Sequence, residues 1–62
     1  MKVKRTSIMS GKVTTMDLDI TIDQVIQWEK GALIQDVMGH LSPEHREFLI
    51  SGITSEEWRE KL

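Results

Sequence analysis

Between Ile20 and Gln24 the hydrophobic period of the chain changes, and that switch restricts it to a strand-then-helix order. Upstream, Thr14, Met16, Leu18 and Ile20 occupy every second position, the pattern of a half-buried strand. Downstream, Thr21-Ile22-Asp23-Gln24 is a capping box: the Thr21 hydroxyl accepts the Gln24 backbone N–H while the Gln24 side chain reaches back. Ile20 and Val25 stand at the staple positions around it. A chain whose period switches once, from two to 3.6, folds as α+β with its strands first.

The strand that ends at Ile20 needs a partner. Ser10-Gly11 is the best turn signal before it, because glycine supplies the positive φ that a two-residue hairpin loop requires. A turn centred there pairs Ile8 with Val13, Thr6 with Thr15, Lys4 with Asp17 and Lys2 with Asp19 on one face. The other face pairs Arg5 with Met16 and Val3 with Leu18. A one-residue slip would exchange the faces. The expectation is an N-terminal β-hairpin over residues 1–20, followed over residues 21–62 by three to four short helices packed on one of its faces.

The first helix carries Ile22, Val25 and Ile26 as its apolar stripe with Trp28 at the edge, and Gly31 suits the residue past its end. A second helical stretch runs from Ala32 to Met38 and stops at Gly39. Ser42-Pro43-Glu44 starts a third, with a capping serine and proline in the first turn; Phe48, Leu49 and Ile50 follow, and Gly52 closes it. Thr54-Ser55-Glu56-Glu57 is a second capping box, with Ile53 and Trp58 as its staple and Trp58 and Leu62 on one side of the last helix.

Sixty-two residues form one domain, and the chain has no cysteine to staple it. Surface scaling gives about 6,300 Å² buried on folding, worth about 95 kcal/mol at ~60% apolar, against about 93 kcal/mol of ordering entropy. Small domains commonly break such a tie by disulfides, metal or association, and disulfides are excluded here. The absence of cysteine suits a reducing compartment. No apolar run has the length of a membrane span and no signal-peptide core follows the basic start. A cytoplasmic protein that associates with itself or with a protein partner is expected, with no membrane contact.

Catalytic and ligand motifs are weak. Ser10-Gly11-Lys12 resembles the end of a phosphate-binding loop, but Thr6 and Val13 stand where that pattern needs a glycine and a hydroxyl residue. His40 and His45, with Asp36, Glu44 and Glu47 nearby, are separated by Gly39 and Pro43 and fall on different elements, so no metal site is expected; His40 suits a helix C-terminus. Glu44, Glu56 and Glu57 are accounted for as acids in first helical turns. No cofactor, small-molecule substrate or enzymatic activity is expected.

Charge is uneven. Residues 1–12 hold Lys2, Lys4, Arg5 and Lys12 with no acid, whereas residues 13–62 carry four basic and ten acidic side chains, for a net −2. A basic ribbon can bind nucleic acid, and these four cations are the candidates for that reading. Asp17 and Asp19 opposite two of them, and the acidic balance of the chain, favour internal neutralisation. Contact with protein is the preferred function. Trp28, set between Gln27 and Glu29, is its leading anchor. Val3, Met16 and Leu18 on the ribbon and Ile34, Val37 and Met38 on the second helix are the apolar residues shared between core and interface.

Ser10-Gly11-Lys12, Thr15-Met16, Gln24 with Trp28 and Gly31, Ile34-Gln35, and Arg46-Glu47-Phe48-Leu49 through Gly52-Ile53-Thr54 to Glu57-Trp58 form a further pattern. It resembles short phage- and prophage-encoded proteins of unassigned function, over about Ser10 to Trp58. The resemblance implies a viral or mobile-element setting and no particular activity. In that setting the readings are an adaptor, inhibitor or assembly factor, with a minor virion component as an alternative.

Overall fold

The structure, a computed structural model, describes residues 1–61; Leu62, expected beside Trp58, lies outside them. Two strands, β1 (Lys2–Thr6) and β2 (Val13–Asp17), form an antiparallel hairpin. Four helices follow: α1 (Ile22–Glu29), α2 (Ile34–Val37), α3 (Pro43–Ser51) and α4 (Ser55–Lys61). The fold is α+β, in the expected order.

The hairpin register differs from the expected one by two residues. Lys2 faces Asp17, Val3 faces Met16, Lys4 faces Thr15, Arg5 faces Thr14 and Thr6 faces Val13. The cause is a wider loop. Ser7 rather than Gly11 organises it: the Ser7 N–H donates to Lys12 O at 2.9 Å, and Gly11 N–H returns to Ser7 O at 2.9 Å. The Ser7 hydroxyl also accepts the N–H groups of Met9 and Ser10, at 3.1 and 3.3 Å. Gly11 does take a positive φ of 76°, late in this loop and not in a two-residue turn. A shift of two positions preserves both faces. Val3 and Met16 remain half-buried toward the helices, and Leu18 is fully buried there.

Helix boundaries follow their caps. In α1, Gln24 N–H donates to Thr21 Oγ1 at 3.2 Å and Thr21 N–H to Gln24 Oε1 at 2.9 Å, completing the capping box. Ser42 Oγ accepts the His45 N–H at 3.2 Å, with Pro43 at the first position of α3. The second helix is shorter than expected, four residues in place of Ala32–Met38, since Leu33 at its start offers no side-chain cap. The second capping box is half formed: Glu57 N–H donates to Thr54 Oγ1 at 3.3 Å, but the Glu57 side chain leaves the helix end for the loop.

Leu18, Ile20, Met38, Leu41, Phe48 and Leu49 form the core, with Val3, Met16, Val25, Trp28, Ile34 and Val37 packed against it. The face of α1 is rotated from the expected stripe. Val25 and Trp28 turn inward, while Ile22 and Ile26 are 61% and 40% exposed. A two-turn helix on so small a core covers only part of a wide apolar stripe, and burying the larger tryptophan removes more surface from water. Ile50, grouped with Phe48 and Leu49 in sequence, is likewise outside at 50% exposure.

Candidate protein interface

Hairpin polarity fixes which backbone groups are used. Leu18 N–H donates to Met1 O at 2.9 Å, the Met1 amine donates to Leu18 O at 2.7 Å, and Ser7 N–H donates to Lys12 O. The groups of residues 12, 14, 16 and 18 therefore point toward β1. Those of Val13, Thr15 and Asp17 point the other way, and none has a partner among the described residues. The far edge of β1 presents the groups of Lys2, Lys4 and Thr6, likewise without a partner among the described residues. It meets the C-terminal end of α3, where Arg5 Nη2 donates to Ile50 O at 3.2 Å and Ile8 N–H donates to Ser51 O at 3.1 Å. Both edges of the sheet carry unpaired main-chain groups; that of β1 bears Lys2 and Lys4 and meets α3 at its end, and that of β2 has no lysine within Val13–Asp17.

A groove of about 430 Å³ runs beside the open edge, lined by Lys12 to Met16 on one wall and Thr54, Ser55 and Glu56 on the other. Its second wall is anchored by Glu57, the residue that follows the lining segment. This side chain is buried, and its Oε2 accepts the Ser7 hydroxyl at 2.7 Å and the Ser10 hydroxyl at 3.0 Å, tying α4 to the loop. Glu57 Oε1 has no hydrogen-bond partner. Glu57 is thus more than a first-turn acid; it is the side-chain link between the last helix and the hairpin. A second hollow of about 250 Å³ lies between β1 and α1, with Val3, Val25, Trp28 and Leu49 among its walls.

The expected interface residues divide by burial. Leu18 and Met38 expose 2% and 0% of their surface, so they are core and present nothing to a partner. Val3, Met16, Ile34, Val37 and Trp28 are half-buried against that core. Trp28 therefore has a packing role besides the exposed part that a partner can reach. Trp58, expected to be held by Ile53, is 39% exposed while Ile53 is buried. The large apolar groups on the surface include Ile8, Ile22, Leu33, Val13 and Ile50.

The basic candidates do not form one surface. Lys2 and Lys4 share the outer face of β1 by alternation, Arg5 turns to the end of α3, and Lys12 lines the groove. Their expected aspartate partners also change: Lys2 faces Asp17 across the hairpin, without a direct ion pair. The Asp17 carboxylate pairs with the Met1 ammonium at 3.1 Å, the only ion pair among the described residues, and the Lys2–Asp19 and Lys4–Asp17 pairings are lost with the register. Asp19 instead contributes its carbonyl, which accepts from His40 Nε2 and anchors the α2–α3 connection to the exit of β2. Among the described residues no three His, Asp or Glu side chains converge on a point, and no helix is long and apolar enough to cross a membrane.

Sequence reasoning missed the Ser7–Ser10–Glu57 link and the buried Leu41. Leu41 stands alone between polar neighbours and carries no periodic signal. Compared with known proteins, the chain matches no family model, no curated protein and no solved structure.

Proposed function

We propose that this chain is a small protein-contact module, acting as an adaptor, inhibitor or assembly factor, and that it works by association and not by catalysis. The observation that carries the reading is the open β2 edge, where Val13, Thr15 and Asp17 present unpaired N–H and C=O groups beside an elongated groove. Extended segments bind such edges by adding a strand, with main-chain hydrogen bonds supplying affinity and groove contacts supplying selectivity. Edges that have no such role are usually protected by lysine, proline or a bulge. The outward positions here are Val13, Thr15 and Asp17, and β2 has no bulge. The one buried acid, Glu57, is engaged by serine hydroxyls and lines neither groove, which suits contact better than acid–base chemistry. The motif resemblance suggests a phage-infected or lysogenic cytoplasm as its place of action.

Nucleic-acid binding is the second reading, favoured by one observation: Lys2 and Lys4 are exposed on one face with no ion-pair partner among the described residues. Photo-crosslinking in the native host separates the two. A photoreactive residue at Thr15 should yield protein adducts, and one at Lys4 few or none. Nucleic-acid adducts at Lys4 that fade as salt rises, with nothing at Thr15, would replace the first reading by the second.

A further inference from the structure

We infer that α4 is a latched wall of the β2 groove, undocking and unwinding as a unit while the hairpin and the other helices stay folded. On the contact-module reading, on which this rests, α4 then regulates the site by completing or removing one of its walls.

Polar bonds hold α4 in place. Of Ser55 to Glu60 only Glu57 is buried, whereas α3 buries Phe48 and Leu49. Trp58, the one large apolar side chain of α4, is 39% exposed. No strand or other helix packs broadly against α4 among the described residues. Its attachment is the Glu57 carboxylate, bound to the Ser7 and Ser10 hydroxyls. A carboxylate gives up hydration for such bonds, and here the exchange is incomplete. Glu57 Oε1 is enclosed without a hydrogen-bond partner, and no cation pairs with Glu57 among the described residues. Docking of this kind gains little net free energy and is readily reversed.

Length makes undocking and unwinding one event. With seven residues, α4 is too short to persist as a helix in water by itself. The hinge is Thr54, because Ile53 before it stays anchored. Ile53 is 5% exposed, and its N–H donates to Ser51 Oγ at 3.2 Å. Segments with few buried apolar contacts open well below the free energy of global unfolding.

Position ties this opening to the site. Thr54, Ser55 and Glu56, the second wall of the groove, are the hinge and first turn of α4. Undocking removes that wall and leaves β2 as a bare edge. A segment that touches both walls binds only the closed state, so it holds α4 down, and loosening the latch weakens it.

Amide hydrogen exchange separates local undocking from a helix that opens only with the whole domain. The Trp58 N–H, bonded to Thr54 O at 3.1 Å, reports α4, and those of Phe48 and Leu49 report the core. Trp58 should exchange on the order of 100-fold faster than the core pair. Low urea should speed the core pair but not Trp58, since undocking exposes little surface. Val37→Ala weakens core packing on α2, so it should speed the core pair several-fold and leave Trp58 unchanged. Ser10→Ala weakens the closed state alone and should speed both alike. Glu57→Ala should strip protection from α4 while the hairpin and α3 keep theirs. The same variant should lower protein capture by a photoreactive group at Thr15 about tenfold. Equal acceleration of Trp58 and the core pair by urea or by Val37→Ala would overturn the latch. Undiminished capture by Glu57→Ala, with α4 unprotected, would overturn its control of the groove. If the wild type captures no protein at Thr15, the contact-module reading falls, and exchange alone decides whether α4 undocks.

Discussion

Gly52 and Gly11 share a φ of 76° but differ in what surrounds them, and the pair separates backbone strain from steric packing. A Cβ on Gly11 would meet nothing within 4 Å, whereas one on Gly52 would sit 2.4 Å from Thr6 O, 2.7 Å from Thr6 C and 3.0 Å from Ser7 N. Gly11→Ala should then cost only the left-handed penalty, partly offset by a stiffer unfolded chain, for a net loss of about 1 kcal/mol. Gly52→Ala bears the same penalty and must also push β1 away from the end of α3. The obstructing atoms are backbone and cannot rotate aside, so overpacking adds about 1–3 kcal/mol. A domain of 62 residues holds about 3–9 kcal/mol in total, so Gly52→Ala should remove much of it. Urea titration followed by tryptophan fluorescence measures both variants. If Gly52→Ala has no native baseline, repeating the series in sucrose brings it within range. Equal losses at the two positions would refute the claim that β1 and α3 meet too closely at Gly52 for a methyl group.

Ser7→Ala removes the 2.7 Å bond to Glu57 and the acceptor for two loop N–H groups, and should cost about 3 kcal/mol by urea titration. The exposed Ser10→Ala loses one 3.0 Å bond to the same carboxylate and should cost about 1 kcal/mol. Trp28→Ala should lower stability by about 2 kcal/mol, seen as a reduced melting temperature, because the half-buried ring packs against the core. Met38→Ala, at a fully buried site, should cost about 2–5 kcal/mol, while Ile8→Ser at 79% exposure should stay within about 0.5 kcal/mol of wild type in thermal melts.

Local chemistry made most of the elements legible. The Thr21–Gln24 box, the Ser42-Pro43 start and the Gly52 stop each depend on residues within four positions of one another, and all three form as read. Alternation fixed the faces of the hairpin even though its register was displaced, since an even shift leaves each side chain on its side. What sequence did not reveal was tertiary competition for a local group. Ser10-Gly11 makes a good tight turn in isolation, and Glu57 makes a good capping partner for Thr54. In the fold, Ser7 and Ser10 find Glu57 across 50 and 47 residues, and that exchange sets both the wide loop and the half-formed cap. Period alone also could not say which of Ile22, Val25, Ile26 and Trp28 a small core would admit.

The same competition shapes the candidate site. Had the hairpin closed at Ser10-Gly11, β2 would begin two residues earlier relative to β1, and Lys4 would face Asp17 on the outer surface. The wide loop instead moves Asp17 opposite Lys2 and leaves Lys12 lining the groove. The Glu57 link therefore does two things: it holds α4 against the loop, and it stabilises the wide loop that sets the hairpin register. Folding and association are linked in consequence, because any partner that binds only the native edge stabilises the fold by mass action. Ser7→Ala should accordingly weaken protein capture by a photoreactive group at Thr15 by more than its loss of native population explains, even though Ser7 lies outside β2. Crosslinking yield with the folded fraction measured in parallel tests this: a yield that scales with the folded fraction alone would show that the loop supports folding without shaping the groove.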